Sequence, residues 1–315
     1  MDGIRARTRF AALAALLAAA ACAAPGTVPD RSPSTAPTLE ELGQTTYRGI
    51  YEAPVTLTDG VFEGAPFIEG GASRPTVRLV QGIYLTGDLA GDGHQEAAAF
   101  LAEQAAGSGT RLYLALSDRD ESGAARNLAT VLLGDRVQII TASMDKGGVS
   151  VRLVRAGPGD AACYPGEIAI SRWTLAGGTL QRVSDQVQGR LSTAELSGSR
   201  WRLESMDIDG ASLQETAVDL QFEPDRVSGR SGCNNYFGGI EDGDGPGKIR
   251  IGPLAGTRMA CAPEVMKLED AYLRALQTAD RFSFLGGALI LTSVVEDGEI
   301  RRLRFSRQTP APPTR

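Results

Sequence analysis

Histidine is nearly missing: the 315-residue chain has one, His94. A Ser-His-Asp triad would have to use it, and so would a histidine-rich zinc site, so both chemistries lack their usual groups. Carboxylate-only catalysis would need two acids paired and buried. Basic surplus is missing as well. Lys and Arg number 32 against 38 Asp and Glu, a formal net charge of −6. Proteins that bind nucleic acid generally carry a basic patch that replaces phosphate counterions, so no nucleic-acid partner is expected. Cysteine is scarce, at four residues with no C-x-x-C pair. Two Cys and one distant His are too few for a zinc site, and no base stands near a thiol in sequence. These absences together argue against an enzyme and for no cofactor.

What is present is glycine and proline, 38 and 16 residues. With few helical runs, this predicts a β-rich chain with many turns. The length allows roughly two domains, at about 100–200 residues each.

The N-terminus begins with Arg5, Arg7 and Arg9, followed by an apolar run from Phe10 to Ala21. That run is well short of the roughly 20 residues that cross a bilayer, and it fits a cleaved signal peptide over residues 1–21. Cys22 follows Ala19-Ala20-Ala21. The pattern resembles the lipobox of bacterial lipoproteins, with Ala19 where Leu is usual. The resemblance implies lipidation at Cys22, while ordinary secretory cleavage with an incidental Cys is the competing reading. Residues 22–38, rich in Ala, Pro, Ser and Thr, read as a disordered tether. The expected location is the cell envelope, exported and membrane-anchored; Ala23 after the Cys favours the outer membrane, periplasmic side, where the host has one.

Residues 39–185 read as a mostly antiparallel β domain. Short apolar runs such as Thr76–Tyr84, Arg111–Leu116, Ala129–Leu133, Arg136–Ile140, Gly148–Val154 and Arg172–Leu175 are bounded by Gly, Asp or Ser. Gln95–Ala106 is Ala-rich and helix-like, although Ala97–Leu101 is uniformly apolar and short enough for a strand. Gly134-Asp135 resembles a two-residue hairpin turn between its flanking runs. Asp88, Asp92 and Glu96 in TGDLAGDGHQE are spaced as in the calcium loops of FG-GAP-like repeats, and Gly93 allows the sharp turn that gathers oxygen ligands. Ala90 offers no oxygen where such a loop needs one. The alternative is a plain Gly-Asp-Gly turn. Cys163 lies in a loop with no evident partner.

The C-terminal region carries a denser set of signals. Trp201-Arg202-Leu203, Leu220-Gln221-Phe222 and Val227-Ser228-Gly229 precede Gly232-Cys233-Asn234-Asn235-Tyr236-Phe237-Gly238. Ile249-Arg250-Ile251-Gly252-Pro253-Leu254 and then Thr257-Arg258-Met259-Ala260-Cys261 follow. From Pro263, apolar residues at Val265, Leu268, Tyr272 and Leu276 recur at helical spacing. Phe282–Leu291, with a Gly286-Gly287 turn, and Ile300–Phe305 return to strand. Residues 201–305 thus resemble the META (HslJ-like) domain. The fold class expected for the whole is α+β, β-rich: the β domain, then a small α+β META domain over 194–307 with a curved antiparallel sheet and one packed helix, and a disordered tail over 308–315.

Cys233 and Cys261 are either a disulfide, favoured by export and worth about 3 kcal/mol, or two buried thiols. Asn234, Asn235 and Arg258 are the polar signature residues. They form either a binding surface or a set of amides that satisfy an irregular loop. The resemblance implies envelope stress, and in some relatives antibiotic tolerance or secretion and motility, with no known reaction. The expected function is therefore a non-catalytic envelope scaffold or binding protein. Its expected partners are a membrane, through a lipid anchor, and an envelope protein or ligand that the sequence does not identify. The alternative is a calcium- or small-ligand-binding module using the Asp88–Glu96 loop.

Overall fold

Alternating residue patterns along the chain become antiparallel ladders. A computed structural model describes residues 35–105, 107, 109–161, 163–207, 217–294 and 300–308. Cys22, the predicted signal peptide, residues 22–34 of the predicted tether and all but the first residue of the predicted tail lie outside the described residues. So do residues 295–299, between the last two predicted strands. Residues 35–38, read as tether, are instead held on the folded body, where Arg119 Nε donates to the Thr35 carbonyl at 2.9 Å and Thr38 caps the first helix.

The N-terminal region holds a short helix α1 (Leu39–Leu42) and strands β1 (Thr46–Tyr47), β2 (Val55–Thr56), β3 (Val61–Glu63), β4 (Thr76–Leu79), β5 (Leu85–Gly87) and β6 (Glu96–Gln104). β7 (Arg111–Arg119), β8 (Ala125–Asp135), β9 (Gln138–Asp145), β10 (Gly148–Arg155), β11 (Glu167–Ala176) and β12 (Thr179–Arg190) complete it. One sheet has the order β3-β4-β6-β7-β8 with β5 beside β6; a second has the order β12-β11-β10-β9. A core of Phe100, Leu114, Leu116, Ile139, Val149, Val151 and Trp173 fills the space between them.

The Ala-rich run is strand β6, and its composition has a physical cause. Phe100 faces the core between the sheets. Ala97, Ala99 and Leu101 face the other way, under a layer of Leu42, Tyr47, Val55 and Leu57. A strand buried on both faces shows no alternation, which is why it imitates a short apolar helix. Gly134-Asp135 does not make a hairpin. Leu112 is still paired with Gly134, and Arg111 with Asp135, so β8 is in its ladder to its last residue. The chain then turns at Arg136, at φ 52°, and crosses to the second sheet, where β9 pairs with β10. β12 continues past residue 185 to Arg190.

The C-terminal region holds β13 (Arg200–Met206), β14 (Asp219–Phe222), β15 (Arg226–Arg230), β16 (Asn235–Asp242), β17 (Ile249–Ile251), β18 (Ala255–Gly256), helix α2 (Pro263–Gln277), β19 (Arg281–Leu285), β20 (Ala288–Val294) and β21 (Ile300–Arg307). They form a nine-stranded antiparallel sheet in the order β17-β16-β15-β14-β13-β21-β20-β19, with β18 beside β16. Its ends nearly meet. Lys248 and Arg281 form an antiparallel bridge, and the N–H of Phe282 donates to the carbonyl of Gly247 at 2.8 Å. The sheet is therefore barrel-like, and α2 adds Leu268, Tyr272 and Leu276 to the same core as Trp201, Phe222 and Phe305. Strand outweighs helix by 51% to 9%, so the α+β expectation reduces to one substantial helix in a β-rich protein.

The two regions share side chains. Ile140, Val154 and Ile168 of the N-terminal sheets belong to the barrel's core cluster. Arg152 on β10 forms an ion pair with Glu195, in the 3-10 turn Thr193–Glu195 that leads into the barrel.

Candidate functional site

The two C-terminal signatures meet in space. Cys233 and Cys261 are disulfide-bonded across 28 positions of sequence, tying the segment after β15 to the segment before α2. Asn234, only 4% exposed, lies beside the bridge. Its Oδ1 accepts from the Thr257 hydroxyl at 2.7 Å and from the Met259 N–H at 2.7 Å. Its Nδ2 donates to the Met259 carbonyl at 3.2 Å and to Glu269 Oε1 at 2.8 Å. Four bonds satisfy one amide, so Asn234 is a structural lock and not part of a binding surface. Asn235 and Arg258 are exposed, and they alone of the three remain on the surface.

Glu269 completes the lock from α2. It is 5% exposed, and its Oε2 accepts from the Ser231 hydroxyl at 2.6 Å and from the Asn234 N–H at 2.8 Å. Burial alone would raise its carboxyl. The donors on Ser231 and on the Asn234 side chain, with the backbone N–H groups of Asn234 and Cys233, outweigh burial and hold it below the ordinary value. No motif in the sequence marks Glu269. The available signal was an acid inside the apolar stripe of α2, between Leu268 and Tyr272, where a solvated Glu does not belong.

The Asp88 loop joins β5 to β6. Its Asp88 carboxylate accepts from the N–H groups of Gly91, Asp92 and Gly93, at 2.6, 3.1 and 3.1 Å. Asp92 Oδ1 accepts from the His94 N–H at 2.9 Å, and the buried Glu96 accepts from the Leu89 N–H at 2.7 Å. Burial, with smaller contributions from the charges of Asp92 and Asp88, lifts the Glu96 carboxyl above its ordinary value. Among the described residues, no three His, Cys, Asp or Glu side chains are grouped to hold a metal ion. The oxygens that the calcium reading needs are bonded to the turn's own backbone.

A cleft of about 370 Å³ opens where the N-terminal sheets meet the barrel. Val80, Ala102, Leu112, Val137 and Ile139 line one wall, and Leu191, Phe282 and Phe284 the other. Gln138 Oε1 accepts from the Phe284 N–H at 2.9 Å, across 146 positions of sequence. The Arg281 guanidinium lies 3.9 Å from the Tyr164 ring centroid and donates to the Pro246 carbonyl at 3.0 Å. Cys163, a free and exposed thiol, also lines the cleft. A concave, mainly apolar volume of this size with a few fixed polar groups suits the binding of an apolar group.

Comparison with known proteins assigns the barrel. Residues 194–310 match the family model described as the META domain. The C-terminal part of the chain is a META domain. The buried lock thus joins the two signature segments of the META domain to its helix. A solved structure titled "NMR structure of the protein from Burkholderia xenovorans" is 28% identical. The match covers 40% of this chain and 95% of that one, with a TM-score of 0.29. No curated protein matches the chain.

Proposed function

We propose that this chain is a non-catalytic, exported lipoprotein of the cell envelope, anchored through Cys22, whose folded body serves as a binding protein. The cleft between the N-terminal sheets and the META domain supports the binding part of this reading, because its two apolar walls enclose a volume of a size that suits an apolar group. The anchoring part rests on the Arg-rich leader, the short apolar run and the small residues before Cys22.

Mass spectrometry of the mature protein, unreduced and then reduced, tests the anchor. The expected N-terminus is an acylated Cys22, with one free thiol at Cys163 and a mass gain on reduction from Cys233–Cys261. A mature N-terminus without acyl chains refutes the anchor. The cleft is tested on the same protein with a neutral, polarity-sensitive dye such as Nile red. Ala102→Phe, which fills one wall, is expected to weaken dye binding by about tenfold, the effect of about 1.4 kcal/mol. Circular dichroism checks that this variant is folded; unchanged dye binding in the folded variant removes the cleft as the site.

A further inference from the structure

The outer face of the META barrel carries a cluster of exposed arginines, although the chain as a whole is anionic. Strand register places Arg200 opposite Gln221, Gln221 opposite Ser228, and Ser228 opposite Phe237. The neighbouring row sets Arg202 opposite Asp219 and Arg230 opposite Asn235. Directly opposed residues project from the same face of a sheet. The alternate residues Trp201, Leu220, Val227 and Tyr236 are buried, so this face is the outer one. Arg200, Arg202, Arg226 and Arg230 are exposed on it, and none pairs with a carboxylate among the described residues. Three acids offset part of this charge: Asp219, whose Oδ1 accepts from the Arg230 N–H at 3.1 Å, and Glu223 and Asp225, exposed in the turn before Arg226. Nearby Arg304 is neutralised by Glu204 at 2.9 Å.

The four strands from β13 to β16 span about 15 Å, so one partner surface can meet all four guanidiniums at once. One end of the face is apolar. Phe237 is 47% exposed under the Arg226 guanidinium, which sits 4.5 Å from its ring centroid, and Met259 is 53% exposed. The exposed signature residues Asn235 and Arg258 are neighbours there, since the Asn235 N–H donates to the hydroxyl of Thr257, next to Arg258, at 3.2 Å. Guanidiniums that pair with phosphate, beside an aromatic ring and a thioether free to enter the headgroup layer, match an anionic lipid surface better than a water-soluble acidic polymer.

We infer that this face docks the META domain onto the anionic phospholipid surface of the membrane that anchors the chain. The inference rests on the anchored reading. A tethered body meets its membrane at an effective concentration of about millimolar, so weak docking suffices to orient it.

The test uses the full chain carrying Cys22→Ser, which removes any lipid, and co-sedimentation with vesicles. Partition onto equimolar phosphatidylglycerol and phosphatidylcholine is expected to exceed partition onto phosphatidylcholine alone, and to fall with salt. Arg226→Gln with Arg230→Gln should weaken it by about 25-fold, about fivefold per arginine. Arg48→Gln with Arg78→Gln, at exposed sites of the N-terminal region, makes the same change in net charge and should leave partition unchanged. Equal loss in both pairs, or no preference for phosphatidylglycerol, overturns the docking face. So does binding of soluble polyglutamate that the Arg226 and Arg230 variants abolish while vesicles are ignored. An unlipidated Cys22 with face-dependent vesicle binding refutes the anchor alone; a lipidated Cys22 without such binding refutes the face alone.

Discussion

Glu269→Ala is expected to destabilise the META domain by about 3 kcal/mol, although the residue touches neither the cleft nor the arginine-bearing face. The figure follows from what the carboxylate leaves behind. Ser231 can redirect its proton to the Asn234 carbonyl, 2.9 Å away. The Asn234 N–H has no such alternative, and Asn234 Nδ2 retains only its longer bond to Met259. Glu269→Gln keeps the volume but turns an amide N–H toward the Nδ2 donor of Asn234, so it should cost about half as much. The two variants also separate in acid. A carboxyl held below its ordinary value contributes stability that is fully present above that value and lost as pH falls through the folded one. Urea unfolding across the acid range should therefore show a loss in the wild type that Glu269→Gln lacks. An identical acid profile in both would show that another carboxylate controls the acid transition.

The legible parts of this lock and the hidden one differ in kind. Gly232, Cys233, Asn234 and Cys261 could be picked out because cysteines, and asparagines flanked by glycines, mark irregular backbone. Glu269 was hidden because its partners lie 35 and 38 positions away, and a local pattern shows only that an acid interrupts an apolar stripe. Distance in sequence also concealed the cleft, whose walls join through Gln138 and Phe284. The Gly134-Asp135 reading failed for a related reason. Turn chemistry was visible, but whether two strands pair with each other or enter different sheets depends on the partners already beside them, here β7 and β10. Strand β6 was ambiguous because burial on both faces erases the period that identifies a strand. Local alternation served well where one face meets solvent, as in β14 to β16.

Trp201→Ala is expected to cost about 3–5 kcal/mol, the range for deleting a buried Trp, and its effect should reach beyond the META domain. The indole is fully buried and donates from Nε1 to the Ser199 hydroxyl at 2.6 Å. Over its ring lies the Arg307 guanidinium, 4.5 Å from the centroid; burial, and then the nearby charge of Arg152, lower the pKa of that group. The same core cluster contains Ile140, Val154 and Ile168 from the N-terminal sheets, so a cavity at Trp201 loosens packing that both regions use. The chain has two tryptophans, and the variant leaves Trp173, buried between the N-terminal sheets, as the sole reporter. If the shared core couples the regions, Trp173 fluorescence and far-UV circular dichroism should shift to lower denaturant together. A Trp173 midpoint that stays at its wild-type value while part of the dichroism is lost early would mean that the META domain unfolds by itself. The cleft would then have one rigid wall and one that can move independently, and binding there would have to order the pair. A coincident shift would instead mean that both walls are held by the same core before any ligand arrives, the preorganised arrangement in which little binding energy is lost to ordering.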